Sequence, residues 1–441
     1  MTRNHFDRRN FLTRSLAASA AAATWGGVHV NPTPSKAADS PNERLNLVAI
    51  GATNRAGANI AGCKSENIIA IADVDANLLA KGTSEYPDAK GYRDFREMLE
   101  KEADRIDGVL VGTPDHTHAP AAAMALRMNK HVYCEKPLTH TVHECRVLSD
   151  LAKANRLVTQ MGTQIHAGAN YRRVVELIQS GAIGPVQEVH VWVPTDYSGG
   201  KFTTDTPTPA GLDWDLWLGP CAKRPYSDGV HPFHWRRFWD FGTGSLGDFG
   251  CHYMDLPFWA LGLRAPSRVA ARGPEADRVS PPQWLIVDYD FPARGDMPPV
   301  RMTWYDGGKS PDLLSQLKDP EGKALDWKSG QLFVGRDGML ISDYGRHLLL
   351  PGETYADFNR PEPTIPESIG HHAEWLQAIR TAGPTTCNFD YSGALTEAVL
   401  LGVVAYRSGD TIQWDAKNLR VTNSESARQL IHKEYRKGWD L

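Results

Sequence analysis

Between residues 45 and 161, short apolar runs alternate five times with stretches of helical periodicity, and this alternation constrains the fold more than any other feature. The runs at 45–50, 68–72, 108–112, 131–134 and 157–161 are mostly continuous in their apolar character and do not alternate with polar residues. Strands of that kind are covered on both faces, as in a parallel sheet. The stretches 56–63, 76–84, 95–103, 119–128 and 141–154 supply the covering helices. Five such repeats in about 120 residues predict a doubly wound α/β domain.

From about residue 165 the alternation stops and the chain becomes richer in Trp, Gly and Pro. Extended segments at 186–193, 284–291, 300–305 and 338–342, with helices at 169–180, 247–261, 369–380 and 393–407, predict an α+β domain. Its sheet is expected to be largely antiparallel and open. Helices would cover one face and leave the other free for contact between copies of the chain. Stretches 292–299 and 320–328 read as surface loops. The expected division is therefore a leader over 1–38, a nucleotide-binding domain over 42–164, and a substrate and oligomerisation domain over 165–441.

The leader is a different kind of sequence. Arg8 and Arg9 precede Asn10-Phe11-Leu12, an Ala-rich apolar stretch runs over 16–25, and small residues follow to Ala38. A basic start, a short apolar middle and a small-residue exit are the pattern of a cleaved signal peptide, and the arginine pair points to twin-arginine (Tat) export to the periplasm or beyond. The apolar stretch is too short for a membrane span. Without 1–38 the chain holds 43 basic and 51 acidic residues, net −8. That balance argues against nucleic acid or an anionic membrane as partner. Six cysteines without a CxxC pair suit neither a zinc site nor a dense disulfide framework. A set of His231, His234, Cys251 and His252 lacks zinc-ligand spacing, so no metal is expected.

Gly51-Ala-Thr-Asn-Arg-Ala-Gly57 stands where the first strand meets the first helix. Glycine there lets the backbone approach a pyrophosphate, whose charge is met by free amides at the helix N-terminus. The match to G-x-G-x-x-G is imperfect: Thr53 replaces the second glycine and Ala56 the third. An ordinary βα turn is the plain alternative. Asp73, 22 residues after Gly51, ends the second strand where a ribose-binding acid is expected. The cofactor-binding set is then Gly51, Thr53, Asn54, Arg55, Ala56 and Asp73. An acid at 73 repels a 2′-phosphate, so NAD is favoured over NADP, with Arg55 pulling the other way.

Three further motifs follow in order. Thr113-Pro-Asp-His-Thr-His118 comes after the third strand, Cys134-Glu-Lys-Pro137 after the fourth, and Gly242-Thr-Gly-Ser-Leu-Gly-Asp-Phe-Gly-Cys-His252 lies in the second half. Together they resemble the signatures of the Gfo/Idh/MocA oxidoreductases over essentially all of 42–441. The resemblance implies a Rossmann domain followed by an open antiparallel sheet, with substrate bound between them, and a Lys-Pro bond that is often cis. It also implies cofactor contacts from Thr113, Pro114, Asp115, His118, Glu135 and Lys136.

The residues carry chemistry in their own right. Lys136 lies at the carboxyl edge of a parallel strand, where ligands bind in such sheets, and can favour the ionised form of a substrate hydroxyl. Asp248 and His252 are four apart and share a helix face, so the carboxylate would orient the imidazole and raise its pKa for proton transfer. Gln164 and His166 face the same mouth and are candidate substrate contacts. Of the aromatics between Trp214 and Trp259, one or two are expected against a sugar and the rest in the core. These residues predict an NAD-dependent oxidoreductase acting on a sugar, polyol or glycoside. Export of a folded enzyme implies that the cofactor is loaded beforehand and kept. Two alternatives stay open: a redox-assisted glycosidase, lyase or epimerase, which the fold is known to host as a class, and a non-catalytic sugar-binding protein.

Overall fold

The computed structural model describes residues 44–319 and 321–441. The expected export leader lies outside the described residues. Six strands form the first sheet: β1 (Asn46–Ile50), β2 (Asn67–Ala72), β3 (Lys90–Tyr92), β4 (Gly108–Val111), β5 (His131–Cys134) and β6 (Thr159–Met161). All pairings are parallel, in the order β3-β2-β1-β4-β5-β6, the Rossmann order. The near-continuous burial of β1, β2, β4 and β5 explains their unbroken apolar runs. Edge strand β3 was not expected: Lys90-Gly-Tyr92 has no apolar run, and two of its three residues are exposed.

Helices α1 (Asn54–Gly62), α2 (Ala76–Glu85), α3 (Phe95–Lys101), α4 (Asp115–Arg127) and α5 (Val142–Ala154) cover the sheet. Helix α4 starts four residues before the expected 119. Its polar first turn is buried, with His116 Nε2 2.9 Å from the Trp217 carbonyl oxygen, so tertiary contacts outweigh the weak local propensity.

The second sheet has nine strands: β7 (Val186–Trp192), β8 (Arg268–Arg272), β9 (Ile286–Phe291), β10 (Val300–Tyr305), β11 (Gly330–Gly335), β12 (Met339–Ser342), β13 (His347–Leu350), β14 (Ile412–Asp415) and β15 (Arg420–Val421). Their order is β13-β12-β11-β7-β10-β9-β8-β14-β15, antiparallel throughout except for the parallel β7–β10 pair. The helices of this half are α6 (Ala169–Gln179), α7 (Trp214–Leu218), α8 (Gly244–Tyr253), α9 (Asp255–Leu261), α10 (His371–Thr381), α11 (Phe389–Ser408) and α12 (Glu425–Gln429). The single helix expected over 247–261 is two, divided at Met254.

Helix α11 packs against α5 of the first half and against α8 and β8 of the second, so one apolar core runs through both. Helix α10 returns to the first sheet and buries Trp375 against Leu47 and Tyr133. The outer face of the second sheet is only partly free. Trp327, Leu313 and Leu314 cover Trp192, Leu332 and Ile341, while β8 and β9 display the pairs Arg268–Asp290 (3.1 Å) and Arg272–Asp288 (2.7 Å). Among the described residues no helix is long and apolar enough to cross a membrane.

Candidate functional site

The turn after β1 opens a cavity of about 440 Å³ along the carboxyl edge of the first sheet. Gly51 sits at φ +98°, and a Cβ there would lie 2.9 Å from the Ala56 Cβ and 3.0 Å from the Gly112 carbonyl oxygen, so only glycine fits. Ala56 does not line the cavity. A Cβ on Gly112 would come within 2.7 Å of the Ala56 Cβ, so the alanine sets how closely α1 seats on β1 and β4. Thr53 occupies the N-cap of α1 without a side-chain capping hydrogen bond. The first-turn amides at Asn54 and Arg55 therefore face the cavity without that partner, the arrangement that suits a pyrophosphate.

Asp73 lines the same cavity; its Oδ2 accepts from the Ala52 amide (3.0 Å) and its Oδ1 from the Asp75 amide (2.9 Å). Burial pushes its carboxyl pKa up. Arg55 turns elsewhere. Its Nε donates to Glu135 Oε1 at 2.9 Å and its Nη2 to Asn59 Oδ1 at 3.3 Å, so its charge is committed away from Asp73. Glu135 Oε1 also accepts from Asn59 (3.0 Å) and Gln164 (3.0 Å). Burial would raise the Glu135 pKa, but the Arg55 and Lys136 charges hold it below the usual carboxylate value.

At the other end stands Lys136, with the Lys136–Pro137 bond cis. Its Nζ donates to Asp248 Oδ1 (2.6 Å) and to the Asp248 carbonyl oxygen (2.8 Å), and both side chains are largely buried. Asp248 Oδ2 accepts from the Tyr197 hydroxyl (3.0 Å), and Arg236 Nε lies 3.3 Å from Oδ1. Burial alone would raise the Asp248 pKa; Lys136 and Arg236 override it and hold the carboxyl well below the usual range.

The expected Asp248–His252 pairing is therefore corrected. The two share a helix, but Asp248 is taken by Lys136, Arg236 and Tyr197, while His252 Nδ1 is buried without a partner. Burial and the Lys136 charge lower the His252 pKa to about 3, opposite to the expected rise. At neutral pH the ring is uncharged and acts as a hydrogen-bond acceptor or donor.

Thr113, Pro114, Asp115 and Glu135 line the cavity beside Lys136. His118 does not: it is buried, with Nδ1 2.8 Å from the Pro137 carbonyl oxygen and Nε2 2.7 Å from that of Thr113, and it braces the two loops. His166 is also drawn inward. Its Nδ1 lies 2.9 Å from both Asp255 carboxylate oxygens and its ring stacks on Trp259 with centroids 4.0 Å apart. Gln164 donates to Tyr133 Oη and Glu135 and supports Glu135 from behind the cavity. Among the described residues the one group of metal-ligating type is His166, Asp255 and Cys387, not the set around His231; His231 instead meets Asp75 at 3.2 Å.

Sequence reasoning missed Arg236, Tyr197 and Thr243. All three lie in the stretch 194–243: Thr243 falls inside the Gly242–His252 motif but was not singled out there, and Arg236 and Tyr197 had no periodicity around them and only their residue types to mark them. Of the aromatics considered, Trp217, Phe233 and Trp235 line the cavity, and Trp217 and Trp235 also share a small core with Trp214, Phe238 and Phe241.

Asp115 gives the site a pH dependence. It is buried, accepts from the Thr243 hydroxyl at 2.9 Å, and is raised to about 7 by burial first and by Asp248 second. A carboxyl whose folded pKa lies above its unfolded value stabilises the fold most below the unfolded pKa, and that contribution is lost as pH rises through the folded one. Unfolding experiments should show stability falling between about pH 4 and 7 by ~3–4 kcal/mol from this group. Asp115→Asn should flatten that slope; an unchanged slope would remove Asp115 as its source.

Residues 45–163 match an oxidoreductase family described by its NAD-binding Rossmann fold, and residues 168–294 match that family's C-terminal alpha/beta domain. Inositol 2-dehydrogenase of Salmonella paratyphi B is 30% identical over 125 residues, which are 28% of this chain and 37% of that enzyme. The chain thus matches little more than a third of that relative's length. Among solved structures, the WlbA dehydrogenase of Bordetella pertussis, in complex with NADH and UDP-GlcNAcA, superposes with a TM-score of 0.58 at 14% identity, covering 84% of this chain and 99% of that one. The aldose-aldose oxidoreductase of Caulobacter crescentus, complexed with glycerol, gives 0.55 at 17% identity, covering 84% and 100%. At those identities the likeness is one of fold. With both halves matched in order, and with the glycine turn and the Asp248-paired Lys136 along one cleft, the chain belongs to the Gfo/Idh/MocA oxidoreductase family.

Proposed function

We propose that this chain is an NAD-dependent oxidoreductase acting on a hydroxyl-bearing carbon of a sugar, polyol or glycoside. The observation that carries the proposal is the Lys136 ammonium, fixed by Asp248 at 2.6 Å beside the cavity that holds the glycine turn and Asp73. Bound in that cavity, NAD supplies the hydride acceptor. The uncapped amides of α1 meet the pyrophosphate, and Asp73 binds the ribose hydroxyls. Lys136 contacts the substrate hydroxyl oxygen and favours its ionised form. Asp248 aims the ammonium and keeps it from turning away, while Tyr197 and Arg236 hold Asp248. His252, uncharged and outside the cavity lining, is left no direct contact with the hydroxyl and could act only through a relay. With Arg55 committed to Glu135, NAD is favoured over NADP.

A second reading has a specific support. Trp217, Pro232, Phe233 and Trp235 of the stretch 194–243 wall the cavity, which suits a dinucleotide that stays bound. A retained cofactor favours a closed redox cycle, as in a redox-assisted glycosidase, lyase or epimerase. The third reading, a sugar-binding protein without turnover, leaves the buried Lys136–Asp248 pair without a purpose. Tat export and a homo-oligomer formed through the charged part of the second sheet's outer face belong to the same proposal.

The test begins with the full chain expressed with its leader and recovered from the periplasmic fraction. NAD should co-purify with it, and Asp73→Ala should weaken NAD binding by about tenfold or more, the loss expected for hydrogen bonds to a charged group, while narrowing the gap to NADP. Unchanged affinity for both nucleotides would remove Asp73 from the site. Absence of processed protein from the periplasm would contradict export.

A further inference from the structure

The end of the chain returns to the first domain and to the stretch 194–243, more than 200 residues after the elements it touches. The His143 amide donates to the Ile431 carbonyl oxygen (3.0 Å), Arg436 Nε donates to that of Gly219 (2.6 Å), and Arg96 Nη1 donates to that of Gly438 (2.9 Å). Arg127 donates to the terminal Leu441. Between these anchors Trp439 is 8% exposed, its ring 5.9 Å from Phe95 and 4.3 Å from the Arg96 guanidinium above it.

Trp439 is also a wall of the large cavity, at the end that holds Asp73, Val74, Arg93 and Phe95. The ribose-binding acid marks this as the adenosine end. A flat, mostly apolar base needs broad apolar walls there, and an indole supplies more such surface than any other side chain. Pro232 and Phe233 of the stretch 194–243 line the same cavity. The cavity that would hold the base thus takes wall from two segments outside the nucleotide-binding domain.

We infer that the C-terminal tail is part of the nucleotide site: Trp439 walls the adenine pocket, and the anchored tail sets how long the dinucleotide stays. The inference rests on the NAD reading above. Truncating a wall that packs on the ligand lets the ligand leave sooner, since affinity changes within one site fall mostly on the off-rate. The tail's anchors keep that wall in place, so loosening them acts in the same direction.

The experiment is displacement of bound NADH from purified full-length protein, with circular dichroism confirming that each variant is folded. Trp439→Ala should release NADH about tenfold faster or more, and Trp439→Phe should stay close to the wild type. ADP-ribose, which lacks the nicotinamide, should lose affinity for Trp439→Ala as much as NAD does. Arg96→Gln keeps every cavity-lining side chain and removes both the anchor at Gly438 and the guanidinium over Trp439; it should also speed release, by less. It keeps the test sharp if Trp439→Ala fails to fold. Wild-type release rates in a folded Trp439→Ala or in Arg96→Gln, or a loss for NAD but not for ADP-ribose, would overturn the inference while leaving the NAD reading in place. A wild-type protein that binds no dinucleotide would overturn both.

Discussion

Replacing Lys136 with Ala should lower the rate of nicotinamide reduction by substrate at least ~10²-fold, the range seen when a positioned acid–base group is removed. Nucleotide affinity should stay within a few-fold, because the glycine turn and Asp73 lie at the other end of the cavity. The contact geometry also says which double change is least additive. Lys136 and Asp248 meet directly at 2.6 Å, whereas Asp248 and His252 make no hydrogen bond. Residues acting as a unit lose much the same rate singly or together. Lys136→Ala combined with Asp248→Asn should therefore cost little more than Lys136→Ala alone, while Asp248→Asn with His252→Ala should come nearer to multiplying. Single-turnover rates of the three single and two double variants check this; full-rate reduction in Lys136→Ala would remove the lysine from the chemistry.

Asp248→Ala should destabilise the fold by ~3–5 kcal/mol at pH 7, the usual cost of removing one partner from a buried charge pair. It would leave Lys136 and Arg236 facing each other across a buried gap. The sign of the pH dependence follows from the lowered Asp248 pKa. A carboxyl whose folded pKa is depressed contributes its stability above the unfolded value and loses it as pH falls through the folded one. The difference between wild type and Asp248→Ala in urea unfolding should be largest near neutrality and shrink below about pH 4. A gap that grew on acidification would mean that the charge pair does not hold the cleft together. Tyr197→Phe removes only the 3.0 Å hydroxyl contact and should cost ~1 kcal/mol in the same assay.

Much of the first half could be read from residues alone, because strands buried on both faces write continuous apolar runs and the covering helices write a 3.6 period. Strand β3 escaped because Lys90-Gly-Tyr92 is an exposed edge. In the second half the short β14 and β15 carry too few residues to show a pattern. Trp375 carries no local mark of its place in the first domain's core, which depends on α10 returning to the first sheet.

The site divides in the same way. Gly51, Asp73, Lys136 and Asp248 were legible since each sits at a fixed offset from a strand or within a motif. The partner of Asp248 was not. Helical spacing fixes a shared face for residues 248 and 252, but a carboxylate pairs with the strongest charge it can reach, and that charge comes from 112 residues away. His166 looked like a mouth residue because it follows β6 closely; the buried carboxylate of Asp255, which pulls it inward, lies 89 residues on. Trp439 carried no local signal of any kind.

The most direct test of the central claim is a single-turnover experiment on protein holding its nucleotide, with a panel of sugars, polyols and glycosides, following the absorbance of reduced nicotinamide. At least one substrate should reduce the bound NAD in the wild type, with the rate collapsing in Lys136→Ala and nucleotide occupancy unchanged. Bound NAD that no member of the panel reduces, or reduction at the same rate in Lys136→Ala, would contradict the account.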